Sequence, residues 1–405
     1  MGAKLTHIHF GAGNLGIGLT LPAISEHVRL AVIQKASQGD IPSEGDILLH
    51  NSSEYSRKMI IITDKSSEEY KTRIYTEWLE GGEKPLFIYS NIWENYSYII
   101  EKANSISCSL KYGQGTLATL LNELNFSSNP SLFPFENDLN VSLKNHSKIN
   151  LVNVLSDRIC TDRAMNARDR VFSVKAENKG LIVINSTDEQ TTQIFSETKN
   201  IDLLFKVDDS FNYYYERKIN LVNGLHFILA TLSYAFLMGA NIPVPEWKNQ
   251  LLPVLIKILH ARELPYSSHI ENYIDGHIML LILSYSNVIQ EEHELNDIED
   301  YFDYLRAFYE GVLSRLETPD YLGRILDYNN PIKVVEKSKK FLDSTRLFIM
   351  AAASRLDEMP IRRRPFSEDI VESISFLEDC IRQIGAQVNL HYKERLNELE
   401  ASKIY

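Results

Sequence analysis

Cysteine is scarce in this chain of 405 residues: Cys108, Cys160 and Cys380 are odd in number and far apart, with no Cys-x-x-Cys pair and no histidines at metal spacing. That argues against a disulfide framework and against a structural zinc. No apolar run reaches the length of a membrane span, and Met1 to Phe10 hold no charged leader followed by an apolar core, so a cytoplasmic protein without membrane contact is expected. Basic charge is also short, with 42 Lys and Arg against 54 Asp and Glu and a net charge of −12. Such a surface repels polyphosphates, and nucleic-acid binding is not expected. The one basic run, Arg362 to Arg364 before Pro365, reads as a solvated loop. Internal repeats and low-complexity segments are missing too.

What is present is an ordinary globular balance, 44% hydrophobic and 24% charged. At this length two domains are the default. Short β-branched and aromatic runs recur in the first half: Thr6–Phe10, Leu30–Gln34, Asp46–His50, Met59–Thr63, Leu86–Ser90, Ile106–Leu110, Ile149–Leu155 and Gly180–Asn185. Helices are predicted between them at Leu15–Ser25 and Thr116–Leu124, which suggests a parallel, doubly wound sheet. From Tyr214 onward the period becomes 3.6, over Tyr214–Gly239, Glu246–Arg262, Ser267–Asn287, Ile298–Leu316, Ile332–Leu356 and Ser367–Leu399, with prolines between them. The fold class is therefore α/β, a Rossmann-like domain over residues 1–200 followed by a mainly α-helical one over 201–405. The boundary falls within the polar stretch Thr187–Phe211.

The most specific local feature is Gly11-Ala12-Gly13-Asn14-Leu15-Gly16, a Gly-x-Gly-x-x-Gly that follows a strand and opens a helix. Gly11 would make the tight turn, Gly13 would let backbone approach a pyrophosphate, and Gly16 would let helix and strand pack closely. The helix N-terminus would add N–H groups for the anion. All six residues are assigned to a nicotinamide dinucleotide. At the end of the second strand, where an acid usually binds the ribose of NAD, stand Gln34 and Lys35. A neutral residue followed by a cation favours NADP, with NAD left open.

The first long helix carries Glu216-Arg217-Lys218-Ile219-Asn220-Leu221-Val222-Asn223-Gly224-Leu225-His226. At about 100° per residue, Lys218, Asn223 and His226 lie within an arc of about 140° and can face one cleft. Hydride transfer from a carbinol needs a group for the hydroxyl proton and donors for the oxygen. A lysine desolvated beside a nicotinamide can serve as that base. The neighbouring Tyr213–Tyr215 read as core packing, and His7, His9, His269 and His277 as structural.

Phe10–Leu19, Phe135–Leu139, Val154–Ile159 and the Lys-x4-Asn-x2-His pattern together resemble, in order and spacing, the long-chain polyol dehydrogenases, the mannitol dehydrogenase family. The matched segments run from about residue 7 to 230 with gaps. The resemblance implies a metal-free, NAD- or NADP-dependent enzyme, a monomer or homodimer, interconverting a polyol and its ketose, with or without a phosphate. It places the general acid/base on Lys218 and the oxygen-binding pair on Asn223 and His226. It adds Asn137, Asp157, Arg324 and Lys333 as substrate contacts. The sequence departs from that family where Leu322–Lys333 keeps only Arg324 and Lys333 as cations, a weak grip on a phosphate.

Other readings stay open. A two-domain dehydrogenase of a sugar acid, keto acid or specialised hydroxy compound would require a cation opposite Lys218, with Arg158, Arg262, Arg324 and Lys333 as candidates. A dinucleotide-binding regulator without chemistry would have a broken catalytic set. The single Tyr-x3-Lys match, Tyr98 with Lys102, is what chance supplies among 21 tyrosines.

Overall fold

The computed structural model describes residues 5–35, 47–49, 57–62, 67–72, 86–90, 93–110, 114–135, 149–166, 171–239, 267–315 and 331–401. The chain divides into two compact units, Met1–Phe211 and Asn212–Tyr405. The predicted helix Glu246–Arg262 lies outside the described residues.

The first unit is built on strands β1 (Thr6–Phe10), β2 (Arg29–Lys35), β3 (Ile47–Leu49), β4 (Arg57–Ile62), β5 (Ser67–Thr72), β6 (Leu86–Ser90), β7 (Ser105–Cys108), β8 (Ser131–Pro134) and β9 (Asn150–Leu151). A seven-stranded sheet runs in the order β3-β6-β2-β1-β7-β8-β9. Every pair in it is parallel except β3 against β6 at one edge. The six parallel strands reproduce the doubly wound nucleotide-binding order, which reverses direction at β1 and β7. Both faces are covered, as a parallel sheet demands. Ile8, Phe10, Ala31, Ile33 and Ile106 pack on one side with Leu117, Leu120 and Leu121 of helix Gln114–Glu123. Leu30, Val32 and Phe133 pack on the other with Ile17, Leu19, Ile182 and Phe195.

Two smaller sheets complete the unit. One joins β10 (Val154–Asp157), β13 (Gly180–Ile184) and β14 (Ile201–Phe205). The other has the order β11-β12-β4-β5, with β11 at Cys160–Asn166 and β12 at Val171–Ala176. Two expected strands, at Met59–Thr63 and Gly180–Asn185, thus stand outside the parallel sheet. The predicted strand Ile149–Leu155 breaks after Leu151 and serves two sheets.

The second unit is helical among its described residues. Helices Asp208–Lys218 and Leu225–Gly239 are joined without a break by a π-helical segment, Ile219–Gly224. Helices Ser267–His293, Ile298–Arg315, Pro331–Asp357 and Ser367–Ala401 follow. Their core is set by close approaches: a Cβ on Gly276 would lie 2.7 Å from Ile370 Cγ2. Buried His277 is hydrogen-bonded to Thr345 at 3.1 Å and meets the Tyr273 ring edge-on at 4.6 Å. His269 stacks on Phe376.

Candidate functional site

The glycine loop leaves the carboxyl end of β1, where the strand order reverses and ligands settle in open α/β sheets. Gly11 has φ +102°, a conformation that only glycine adopts without strain. Its N–H donates to the Ile33 carbonyl at 2.9 Å, and Phe10 accepts from Ser109 N–H at 2.8 Å. The turn is therefore pinned to β2 on one side and to the end of β7 on the other. A Cβ on Gly16 would sit 2.1 Å from the Gly11 carbonyl oxygen, whereas one on Gly13 would meet nothing within 4 Å. Gly16 is closed by the loop itself, and Gly13 presents bare backbone to open space. That open face is what a pyrophosphate needs to come against the chain.

The segment after the loop is not the regular helix predicted over Leu15–Ser25. It is a π-helical turn, Gly16–Thr20, then a 3-10 turn, Leu21–Ala23, with Ile24 already extended. Leu21 N–H reaches back five residues to the Gly16 carbonyl, and Pro22, which has no N–H, keeps an α-helix from continuing. The turn is held by Arg158, whose Nη1 donates to the Gly18 carbonyl at 2.6 Å while Nε and Nη2 donate to the Glu177 carbonyl. Arg158 is thereby committed to backbone and leaves the set of candidate substrate cations.

Behind the loop lies a polar chain that joins the two histidines expected to be structural to two serines of β7. Ser105 Oγ is 2.7 Å from His7 Nδ1, His7 Nε2 is 2.8 Å from Ser107 Oγ, and Ser107 Oγ is 2.7 Å from His9 Nδ1. His9 Nε2 ends the chain 2.9 Å from the Gly11 carbonyl. Both histidines are fully buried. Burial holds His7 well below the ordinary imidazole value and brings His9 down to about 4. Neutral rings fix every proton: a carbonyl only accepts, so His9 Nε2 donates and its Nδ1 accepts from Ser107. Ser107 in turn accepts from His7 Nε2–H, and Ser105 donates to His7 Nδ1. The sequence did carry a signal for this, since His7 and His9 alternate along β1 as Ser105 and Ser107 alternate along the paired β7.

Gln34, assigned to cofactor choice, accepts the Ala12 N–H through Oε1. It shapes the loop as well as lying at the end of β2. The side chain of Lys35 and all of Asn137 and Arg324 lie outside the described residues, as does the side chain of Lys333 at the start of its helix. Asp157 is buried at the end of β10.

In the helical unit the three predicted catalytic residues surround the π segment. Lys218, buried, precedes it, Asn223 lies in it, and His226 follows in the next α turn. The structure changes their geometry from the α-helical expectation. Lys218 and Asn223 are five residues apart, about 140° apart on an α-helix, but an i→i+5 turn stacks them on one face. Gly224 closes the segment against Phe341, since a Cβ there would lie 2.2 Å from the ring.

Next to Lys218 is a residue to which the sequence pattern assigns no role. Arg217 is 6% exposed and lies over the rings of Phe308, Tyr214 and Tyr213 at 4.2, 4.9 and 5.3 Å. Tyr213 and Tyr214 are buried, in accord with a core reading. Their hydroxyls meet His293 Nε2 at 2.9 Å and Glu292 Oε2 at 3.0 Å, and burial pushes Tyr213 up to about 12. No periodic pattern marks a buried arginine within a charged Glu-Arg-Lys run.

No protein-family model and no curated protein matches the chain. Among solved structures it is similar to the dimeric ketopantoate reductase of Staphylococcus aureus, at 12% identity over 94% of this chain and 100% of that one, TM-score 0.39. A PanE/ApbA family ketopantoate reductase of Ralstonia eutropha matches at 11%, 95%, 99% and TM-score 0.45 in the same order. A glycerol-3-phosphate dehydrogenase of Coxiella burnetii matches at 9%, 96%, 99% and 0.36. The resemblance to the long-chain polyol dehydrogenases is overturned. The similar structures are ketopantoate reductases and a glycerol-3-phosphate dehydrogenase, not members of that family. The motifs that suggested it are short. A glycine loop answers to a pyrophosphate whatever the substrate, and Lys-x4-Asn-x2-His was matched on order and spacing along the sequence alone. The substrate roles of Asn137 and Asp157, which rested on that resemblance, lose its support, while Arg324 and Lys333 stay candidate cations for an acidic substrate. Among the described residues no His, Cys, Asp or Glu side chains are grouped to hold a metal, and no helix is long and apolar enough to cross a membrane.

Proposed function

We propose that the chain is an NAD(P)-dependent oxidoreductase that interconverts a hydroxyl and a carbonyl group on a small hydroxy compound of the sugar-acid or hydroxy-acid kind. The observation that carries this reading is the loop at the strand-order reversal, with Gly11 at φ +102° and open space over Gly13. In this reading residues 1–200 hold the dinucleotide and 201–405 supply the proton-transfer and substrate groups.

Gly11 to Gly16 hold the pyrophosphate through loop backbone, and Gln34 lies toward the adenosine end. Because Gln34 brings no carboxylate against a 2′-phosphate, NADP is the favoured form. The nicotinamide, when bound, supplies or accepts a hydride. Lys218 gives or takes the hydroxyl proton, and Asn223 and His226 donate hydrogen bonds to the oxygen as its charge grows.

The test is a nicotinamide absorbance assay over a panel of hydroxy acids, oxo acids and sugar acids with both cofactors, beside a fluorescence titration of each cofactor. Lys218→Ala is expected to lower turnover by roughly 10²–10⁴-fold, the usual worth of a positioned acid/base, with cofactor affinity within a few-fold of the parent. Turnover that survives this change removes Lys218 from the reaction. Failure of both cofactors to bind removes the whole reading.

A further inference from the structure

We infer that Arg217 is the anchor of a seat for a small carboxylate in the helical unit. A guanidinium carries five N–H donors in its own plane. Aromatic rings attract its faces but accept nothing along its edges. The guanidinium carbon of Arg217 lies over the rings of Phe308, Tyr214 and Tyr213. Of its edges, only Nη1 has a partner, the Tyr213 hydroxyl at a long 3.4 Å. That hydroxyl, accepting from Arg217, turns its own proton to His293 Nε2, and the Tyr214 proton goes to Glu292. Neither tyrosine has more to offer the guanidinium.

Among the described residues no carboxylate stands within ion-pair distance of Arg217, although Arg306 and Arg346 in the same unit each have theirs. Nε and Nη2 donate to no described residue, yet they are not among the polar atoms sealed off from solvent. A buried cation without a counter-ion is costly to keep. A flat two-oxygen anion presented to the Nε/Nη2 edge removes that cost, because its spacing matches the forked donors. With only 6% of the residue exposed, the way in is narrow and suits a planar carboxylate better than a bulkier tetrahedral anion. Arg217 and Lys218 are consecutive on one helix and project about 100° apart, so the seat stands apart from the proton-transfer group and does not depend on the dehydrogenase reading.

Thermal unfolding of the full chain in sodium formate, sodium chloride and sodium phosphate at matched ionic strength tests the seat, with near-ultraviolet circular dichroism reporting on Tyr213 and Tyr214. Formate is expected to raise Tm by roughly 2–4 °C over chloride, about what a modestly occupied site gives, and to alter the tyrosine band. Arg217→Met should lose both effects. Arg217→Lys, which keeps the charge without the fork, should bind formate at least tenfold more weakly, and it serves if the methionine variant does not fold. Equal responses to formate and chloride, or a formate response that survives Arg217→Met, overturn the seat. A phosphate response equal to that of formate overturns its assignment to a carboxylate. Cofactor titrations on the same samples keep the two readings apart, since formate binding without cofactor binding sinks the dehydrogenase alone.

Discussion

A methyl group separates two glycines of the loop. On Gly16 it would lie 2.1 Å from the Gly11 carbonyl, and on Gly13 it would touch nothing. Gly16→Ala is therefore expected to cost about 1–3 kcal/mol in stability, as overpacking does, and to weaken cofactor binding at least tenfold. Gly13→Ala should fold with parental stability and lose affinity alone. Denaturant titration and cofactor fluorescence measure both, and a Gly13→Ala protein with unchanged affinity counts against a pyrophosphate at that position. These residues were legible in the sequence because the loop needs glycine at fixed steps. Arg217 was not, because its burial depends on Phe308, far away in the chain. Gln34 was half legible: its place at the end of β2 was foreseen, but not its bond to the Ala12 N–H.

At the scale of elements, the long helices were readable almost to their ends. Ile332–Leu356 is found at Pro331–Asp357 and Ser367–Leu399 at Ser367–Ala401, because their apolar period of 3.6 is long and uninterrupted. Strands with charged sequences, such as Ser67–Thr72 and Cys160–Asn166, carry no apolar alternation and were missed. The π segments were invisible, since a widened turn disturbs the period by a single residue. Phe341 is seated where the second of them ends, 2.2 Å from a Cβ on Gly224. Gly224→Ala should destabilise the protein by about 1–3 kcal/mol. Adding Phe341→Ala should make the double variant less unstable than the sum of the two single changes, since losing the ring removes the clash that the new methyl makes and the methyl fills part of the space the ring leaves. Strict additivity in denaturant titrations would show that the ring does not press on this turn.

For the molecule as a whole, the change from strands to helices was plain in the sequence, and so was the parallel sheet. The two smaller sheets were not, because their pairings are long-range, β12 with β4 for instance. Buried histidines in both units contribute to the acid response. Desolvation lowers His9 to about 4 and His277 to about 3 from an ordinary value of 6.5. Above about pH 6.5 these rings are neutral in both the folded and the unfolded chain, and stability is full. As pH falls from 6.5 toward 4 the unfolded chain takes up protons that the folded one refuses, so stability falls, by about 3 kcal/mol for His9 alone. Below their folded values the loss levels off. The carboxyl of Asp275, brought up to about 6 by burial, works in the opposite direction, so the test is the difference between proteins. In denaturant titrations between pH 7 and pH 4, His9→Gln should lose less stability than the parent, and identical profiles would contradict a neutral buried His9.

The position of β1 also has a consequence in time. Its partners are β2 on one side and β7 on the other, and the final bond to its end comes from Ser109. During synthesis the strand emerges before both of its partners, and one of its edges stays open until the chain has been made past Ser109. Through that interval Ile8 and Phe10, buried at 0% exposure in the finished fold, lack the cover of Ile106 and of the leucines that follow it. A growing chain stopped short of β7 therefore shows an unpaired apolar edge, the kind of surface that chaperones hold and that aggregates recruit.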